Sequence, residues 1–158
     1  MKTKLTQKPI NSEKISIDKD LCSGCGICEL ACSLYHEGKC SPALSRIKVE
    51  KKFLDLEFSP VICIQCDWPS CYYECPEKAI KIDQKTGARY IDQGICTGCG
   101  KCVKACPLMP EKQVIRYKRI NKKKIYFKCD LCRDRKEGPL CVEICPRKVL
   151  TYHKKKDN

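Results

Sequence analysis

Cysteine is the residue that could do chemistry in this chain: 17 of its 158 residues are cysteine, a usage at which that side chain must organise the fold. Sixteen of them fall into four groups of four. Cys22, Cys25, Cys28 and Cys32 are spaced C-x2-C-x2-C-x3-C, and Cys96, Cys99, Cys102 and Cys106 repeat that spacing. Cys63, Cys66, Cys71 and Cys75 have a wider gap before the third cysteine, and in Cys129, Cys132, Cys141 and Cys145 the gap grows to eight residues. Pro76, Pro107 and Pro146 follow the last cysteine of groups two, three and four, whereas Ser33 follows Cys32.

Three uses of cysteine compete, and each leaves its own spacing. Disulfides are rare in a reducing compartment, and an odd cysteine count leaves a thiol over. Structural zinc favours paired C-x2-C knuckles, a pattern that groups two and four could satisfy with C-x3-C as the second pair. The three-cysteine loops of groups one and three fit zinc poorly and fit a cubane iron-sulfur cluster well, because C-x2-C-x2-C wraps one cluster with three thiolates. Gly24, Gly26, Gly98 and Gly100 free those loops to curl around a bulky core. In such loops the fourth cysteine of a group serves a second cluster, so the expectation is four [4Fe-4S] clusters.

The elements that must position these groups are brief. Ala79–Asp83 and Ala88–Asp92 flank a hairpin turn at 84–87, and Arg46–Glu50, Leu54–Phe58, Val114–Tyr117 and Lys124–Lys128 are further strand candidates. Val149–Tyr152 can pair with Ile15–Asp18, which brings groups one and four together. Short strands and turns suit a small chain in which clusters replace much of the apolar core.

The formal charge of +13 invites a nucleic-acid reading, but it counts the cysteines as neutral. Sixteen thiolates and four cores of about +2 each bring the charge to about +5. No nucleic-acid motif accompanies it. No apolar run approaches the roughly 18 residues of a spanning helix, and the amino terminus carries no leader-like pattern, so a cytoplasmic protein is expected. No nucleophile-base constellation, phosphate loop or dinucleotide fingerprint points to catalysis. With four cysteines for each cluster no iron is left open to substrate.

The quartets resemble those of a known family, the four-cluster double-ferredoxin subunits of molybdenum and tungsten oxidoreductases, hydrogenases and carbon monoxide dehydrogenases. The widened groups carry the resemblance most specifically: Cys63-Ile-Gln-Cys66 through Cys75-Pro76, and Lys128-Cys129-Asp-Leu-Cys132-Arg133 through Cys145-Pro146. It implies a small, cluster-organised α+β fold of two interleaved bacterial-ferredoxin-like units with short strands and helices. One unit is expected from residues 1–50 and 112–158 and the other from residues 51–111. Carried over, Cys22, Cys25 and Cys28 share a cluster with Cys145, and Cys129, Cys132 and Cys141 share one with Cys32. Cys63, Cys66 and Cys71 join Cys106, and Cys96, Cys99 and Cys102 join Cys75. The implied role is a non-catalytic electron-transfer subunit between a catalytic oxidoreductase subunit and ferredoxin or a flavin or NAD redox subunit. The segment from Ala31 to Val49 is similar to the branch associated with tungsten aldehyde oxidoreductases. Self-association through exposed cluster ends is a further expectation, and the direction of electron flow stays open.

The remaining candidates have plainer readings. Cys40 is expected to be an ordinary thiol in a surface turn, His36 a polar loop residue without a metal role, and His153 part of a lysine-rich tail. Trp68, Tyr72 and Tyr73 are expected to pack over group two and exclude water. Lys122–Lys124 and Lys154–Lys156 read as solvated turns or tails. The alternative from a different class is a zinc-bearing interaction or nucleic-acid-binding protein, which would be colourless.

Overall fold

The computed structural model describes residues 9–155, so the amino-terminal segment read for a leader, and the last lysine of the Lys154–Lys156 run, lie outside the described residues. The fold is a small α+β arrangement. Strands β1 (Lys14–Ile17) and β8 (Leu150–His153) pair antiparallel with Ile15 opposite Tyr152, joining the two ends of the described chain. Three hairpins account for the other strands among the described residues: β2 (Ile47–Lys52) with β3 (Glu57–Ile62), β4 (Ile80–Ile82) with β5 (Arg89–Ile91), and β6 (Ile115–Ile120) with β7 (Lys123–Lys128).

Strand periodicity explains the β2–β3 register. Ile47 and Val49 point inward and are buried while Lys48 and Glu50 point outward, and Ile47 faces Ile62, also buried. That pairing leaves Phe53–Leu56 to close the turn, with Leu56 at φ 53°. Leu54–Phe58 is therefore not the strand expected from its residue types; β3 starts at Glu57, and burial of Ile62 decides the matter. His153 likewise ends β8, with its Nε2 2.7 Å from Ser16 Oγ, and is not part of a tail.

Four helices follow the cysteines. The third cysteine of each group lies in the first turn of α1 (Ile27–Glu37), α2 (Ser70–Tyr73), α3 (Lys101–Ala105) or α4 (Leu140–Ile144). Cys106 and Cys145 end α3 and α4, and the proline after each has no N–H with which to continue a helix. Helix α1 is longer than the sequence reading allows for, because Ser33 stands where the others have proline. Its wholly buried hydroxyl donates to Leu30 O at 3.0 Å and accepts from Ser41 N at 2.9 Å.

Two apolar cores form. One gathers Ile47, Val49, Ile62, Leu131, Val149 and Leu150 around Cys28, Cys32, Cys129 and Cys141. The other gathers Ala79, Ile80, Ile91, Val114 and Ile115 around Cys71, Cys96 and Cys102. At about 25 cal/mol per Å² of apolar surface removed from water, cores this small explain why sulfur is packed among the aliphatic side chains.

Candidate metal centres

Each cysteine loop meets a cysteine from a distant part of the chain. Cys22, Cys25 and Cys28, in and before the first turn of α1, line a shared cavity with Cys145 at the end of α4. Cys63, Cys66 and Cys71 line a second with Cys106 at the end of α3. Cys96, Cys99 and Cys102 line a third with Cys75 beyond α2. Cys129, Cys132 and Cys141 lie close to Cys32 on α1: the Cys32 sulfur bears electrostatically on both Cys132 and Cys141, and Cys32, Cys129 and Cys141 share one core.

Burial sets the state of these sulfurs. It pushes the Cys28, Cys102 and Cys132 thiols up to about 12 and Cys71 to about 11. Cys129 and Cys141 lie deeper and are pushed well above the usual thiol range. Thiolates at these positions therefore require positive charge against them. Backbone N–H groups supply part of it: Arg46 N donates to Cys32 Sγ and Ala79 N to Cys75 Sγ, both at 3.3 Å, and Leu131 N to Cys129 Sγ and Val149 N to Cys145 Sγ, both at 3.4 Å.

Side chains supply more at one cavity. Arg89 and Lys128 are both buried and line the Cys63, Cys66, Cys71 and Cys106 cavity, together with buried Gln65. The Arg89 guanidinium donates to Gln65 O at 3.1 Å, to Gly87 O at 3.3 Å and to Ile10 O, and its buried Nε has no partner among the described residues. Lys128 Nζ donates to Arg89 O at 2.6 Å, and Gln65 ties the pair together by accepting from Arg89 N and donating to Cys129 O, both at 2.8 Å. Among the described residues neither cation is ion-paired with a carboxylate. Burial opposes the charge on Lys128, but the Cys63 and Cys71 sulfurs outweigh it and its pKa is raised. Two buried cations without acidic partners have anionic sulfur as their natural counter-charge. Sequence reasoning missed both; the position of Lys128 directly before Cys129 was the available signal.

Several single residues depart from their plain readings. His36 is not a loop residue but sits buried in the last turn of α1, with Nε2 3.6 Å from Cys132 Sγ and 3.5 Å from Asp130 Oδ1. Asp130 also pairs with Arg46 at 2.7 Å. Burial pushes the His36 imidazole down to about 4. Of the three aromatics, Tyr72 packs against the second core, while Trp68, ahead of α2, and Tyr73, its last residue, stand exposed. Cys40 is exposed in a loop, as its neighbours suggest. No helix among the described residues is long and apolar enough to cross a membrane.

Comparison with known proteins agrees with this chemistry. Residues 54–155 match the 4Fe-4S dicluster domain, and residues 19–35 match a 4Fe-4S binding domain. The polyferredoxin-like subunit of the aliphatic sulfonate oxidoreductase of Pyrococcus furiosus is 43% identical over 132 residues, 83% of this chain and 70% of its own length. Electron transport protein HydN of Escherichia coli is 34% identical over 152 residues, 86% of this chain and 85% of its own length. Among solved structures, a chain of the active site complex BamBC of benzoyl coenzyme A reductase, in complex with zinc, superposes with a TM-score of 0.52 at 25% identity, covering 92% of this chain and 80% of that one. With the matched domain spanning more than half of its residues, the chain belongs to the 4Fe-4S dicluster domain family.

Proposed function

We propose that this chain is a non-catalytic electron-transfer subunit that holds four [4Fe-4S] clusters through sixteen cysteines. It would relay single electrons between a catalytic oxidoreductase subunit and ferredoxin or a flavin or NAD redox subunit. The observation that carries the reading is the convergence of three cysteines of one group with one cysteine of another on a shared cavity. Soft sulfur donors in fours suit iron-sulfur clusters, and Arg89 and Lys128, which are in no ion pair among the described residues, suit a bound group of net negative charge. When bound by four thiolates, such a cluster supplies a one-electron redox couple.

The proposed quartets are Cys22, Cys25, Cys28 and Cys145; Cys129, Cys132, Cys141 and Cys32; Cys63, Cys66, Cys71 and Cys106; and Cys96, Cys99, Cys102 and Cys75. The chain's own part is to hold these sulfurs, keep water away with two apolar cores, and offset their charge with backbone N–H groups and buried cations. Two interleaved units follow, residues 1–50 with 112–158 and residues 51–111, and the β2–β3 hairpin runs across the first joint. The names of the relatives support a catalytic partner, since one is a subunit of an oxidoreductase and another an electron transport protein. A tungsten aldehyde oxidoreductase is the partner proposed, in the cytoplasm, with a hydrogenase, formate dehydrogenase or carbon monoxide dehydrogenase as the alternative.

Metal and acid-labile sulfide analysis of anaerobically purified protein tests this. About sixteen iron and about sixteen sulfide per chain are expected. About eight iron with zinc would reduce the reading to two clusters with structural zinc, and zinc without sulfide would overturn it.

A further inference from the structure

Of the sixteen grouped cysteines only Cys25 and Cys99 are exposed, and each is overlain by a hairpin. Beside Cys25, a Cβ on Gly24 would fall 2.5 Å from the Phe58 ring of β3. Beside Cys99, a Cβ on Gly98 would fall 2.2 Å from Lys124 O of β7, and one on Gly100 would fall 3.1 Å from the Tyr126 hydroxyl. The two hairpins occupy equivalent places over equivalent loops, yet their tips carry opposite chemistry.

The β2–β3 tip is apolar and electrically neutral. Phe53, Leu54 and Leu56 are 70%, 101% and 76% exposed. Its charges are Lys51, Lys52, Asp55 and Glu57, which cancel, and Lys52 pairs with Glu57 at 2.9 Å. The β6–β7 tip runs Arg119-Ile-Asn-Lys-Lys-Lys124, with four cations and no acid. Lys101 and Lys104 of α3, which starts two residues after Cys99, are exposed as well. Among the described residues none of these six cations is in an ion pair. Glu77 reaches the Cys99 cavity, but it is followed at once by Lys78.

We infer that the basic face around Cys99 is the docking site for a small acidic electron-transfer protein, and that the face around Cys25, with its neutral hairpin tip, is not. The inference rests on the cluster reading above and gives it a polarity. Exchange with a soluble carrier is a brief encounter over a small contact, whose rate depends on charge steering across the approach. Six unpaired cations around one exposed sulfur provide that steering. The Cys25 end, whose tip charges cancel and whose cavity is lined by Arg147, provides far less.

Stopped-flow electron exchange between the reduced holoprotein and a purified acidic ferredoxin tests the assignment, at low salt and at about 1 M, where the Debye length is about 3 Å. The second-order rate should fall at least about tenfold across that range. Lys122→Glu/Lys123→Glu should lose at least about tenfold at low salt and most of the salt dependence. Lys51→Glu/Lys52→Glu, the same change of charge at the other end, should keep the wild-type rate. Iron and sulfide content and the rate with methyl viologen, a small cationic reactant, are measured beside each. Equal slowing of both variants, or a wild-type rate indifferent to salt, with full iron and sulfide, overturns the docking site and leaves the cluster reading standing. A shortage of iron and sulfide in the wild type overturns the cluster reading, and the docking site with it.

Discussion

Gly98→Ala against Gly38→Ala separates backbone strain from steric support of a cysteine loop. Both glycines have left-handed backbone, at φ +79° and +67°. An alanine at either position meets the same dihedral penalty of about 1–2 kcal/mol. Their surroundings differ. A Cβ at Gly38 has nothing within 4 Å, whereas one at Gly98 would lie 2.2 Å from Lys124 O and 3.2 Å from Lys124 C, both backbone atoms of β7. The strand and the Cys96–Cys102 loop must then move apart, an overpacking cost of about 1–3 kcal/mol beyond the dihedral term. Expressed in full in the barrier to cluster loss, that difference shortens the half-life by a factor of about five to about 160. The assay is anaerobic bleaching of the visible cluster absorbance in guanidinium, with iron counted as bleaching proceeds. Gly98→Ala should bleach in that ratio faster than Gly38→Ala and release about four iron first. Equal half-lives would refute the claim that β7 clamps this loop.

Three further outcomes follow from the same structure. Lys128→Met removes a buried charge from the Cys63 cavity and should lower the reduced-to-oxidised ratio of one cluster about tenfold at fixed potential, a fall of about 59 mV for one electron; a potentiometric titration followed by electron paramagnetic resonance reads it, and unchanged potentials would mean the ammonium carries no weight there. Ser33→Ala deletes two hydrogen bonds of a wholly buried hydroxyl, should destabilise by about 1–3 kcal/mol, and should lower the bleaching temperature by several degrees in a thermal scan, where no change would deny Ser33 its part in extending α1. Cys40→Ser should retain all its iron, while Cys141→Ser, at a buried position, should lose or convert one cluster by iron and sulfide analysis; iron loss from Cys40→Ser would contradict its placement outside the quartets.

Legibility from sequence followed the reach of each physical rule. Cysteine spacing is local, so the four groups and the chemistry they suit could be read directly, and period-two alternation was enough to find the strands at 47, 80, 89, 115 and 123 and the pairing of the first and last strand segments, though not its register. Where a tertiary contact outweighs residue type, reading failed. Phe53, Leu54 and Leu56 look like strand residues, but burial of Ile62 sets the register and leaves them exposed at a turn. Trp68 looks like packing material and stands in solvent. Arg89 shares the buried side of β5 with Ile91, whereas Lys128 breaks the alternation of β7 by being buried directly after buried Phe127, and only the neighbouring sulfurs make such burial tolerable. No window of sequence that omits those sulfurs could have placed two cations in a core.

The divergence of the four cysteine groups explains more than their repetition does. Where proline follows the fourth cysteine, the helix before it is only four or five residues long. At Ser33, which keeps its N–H, α1 continues to Glu37, and the extra turn is what carries His36 to 3.6 Å from Cys132 Sγ, where the Asp130–Arg46 pair meets it. The Cys132 surroundings are thus an imidazole beside a closed ion pair, while the Cys63 surroundings hold Arg89 and Lys128, neither ion-paired with a carboxylate among the described residues. Reduction adds negative charge to a bound cluster, so two open cations favour the reduced state more than an ion pair that cancels itself. Two sets of similar short elements, one lacking a proline after Cys32 and the other burying Arg89 and Lys128, therefore place their sulfur quartets in fields of different strength.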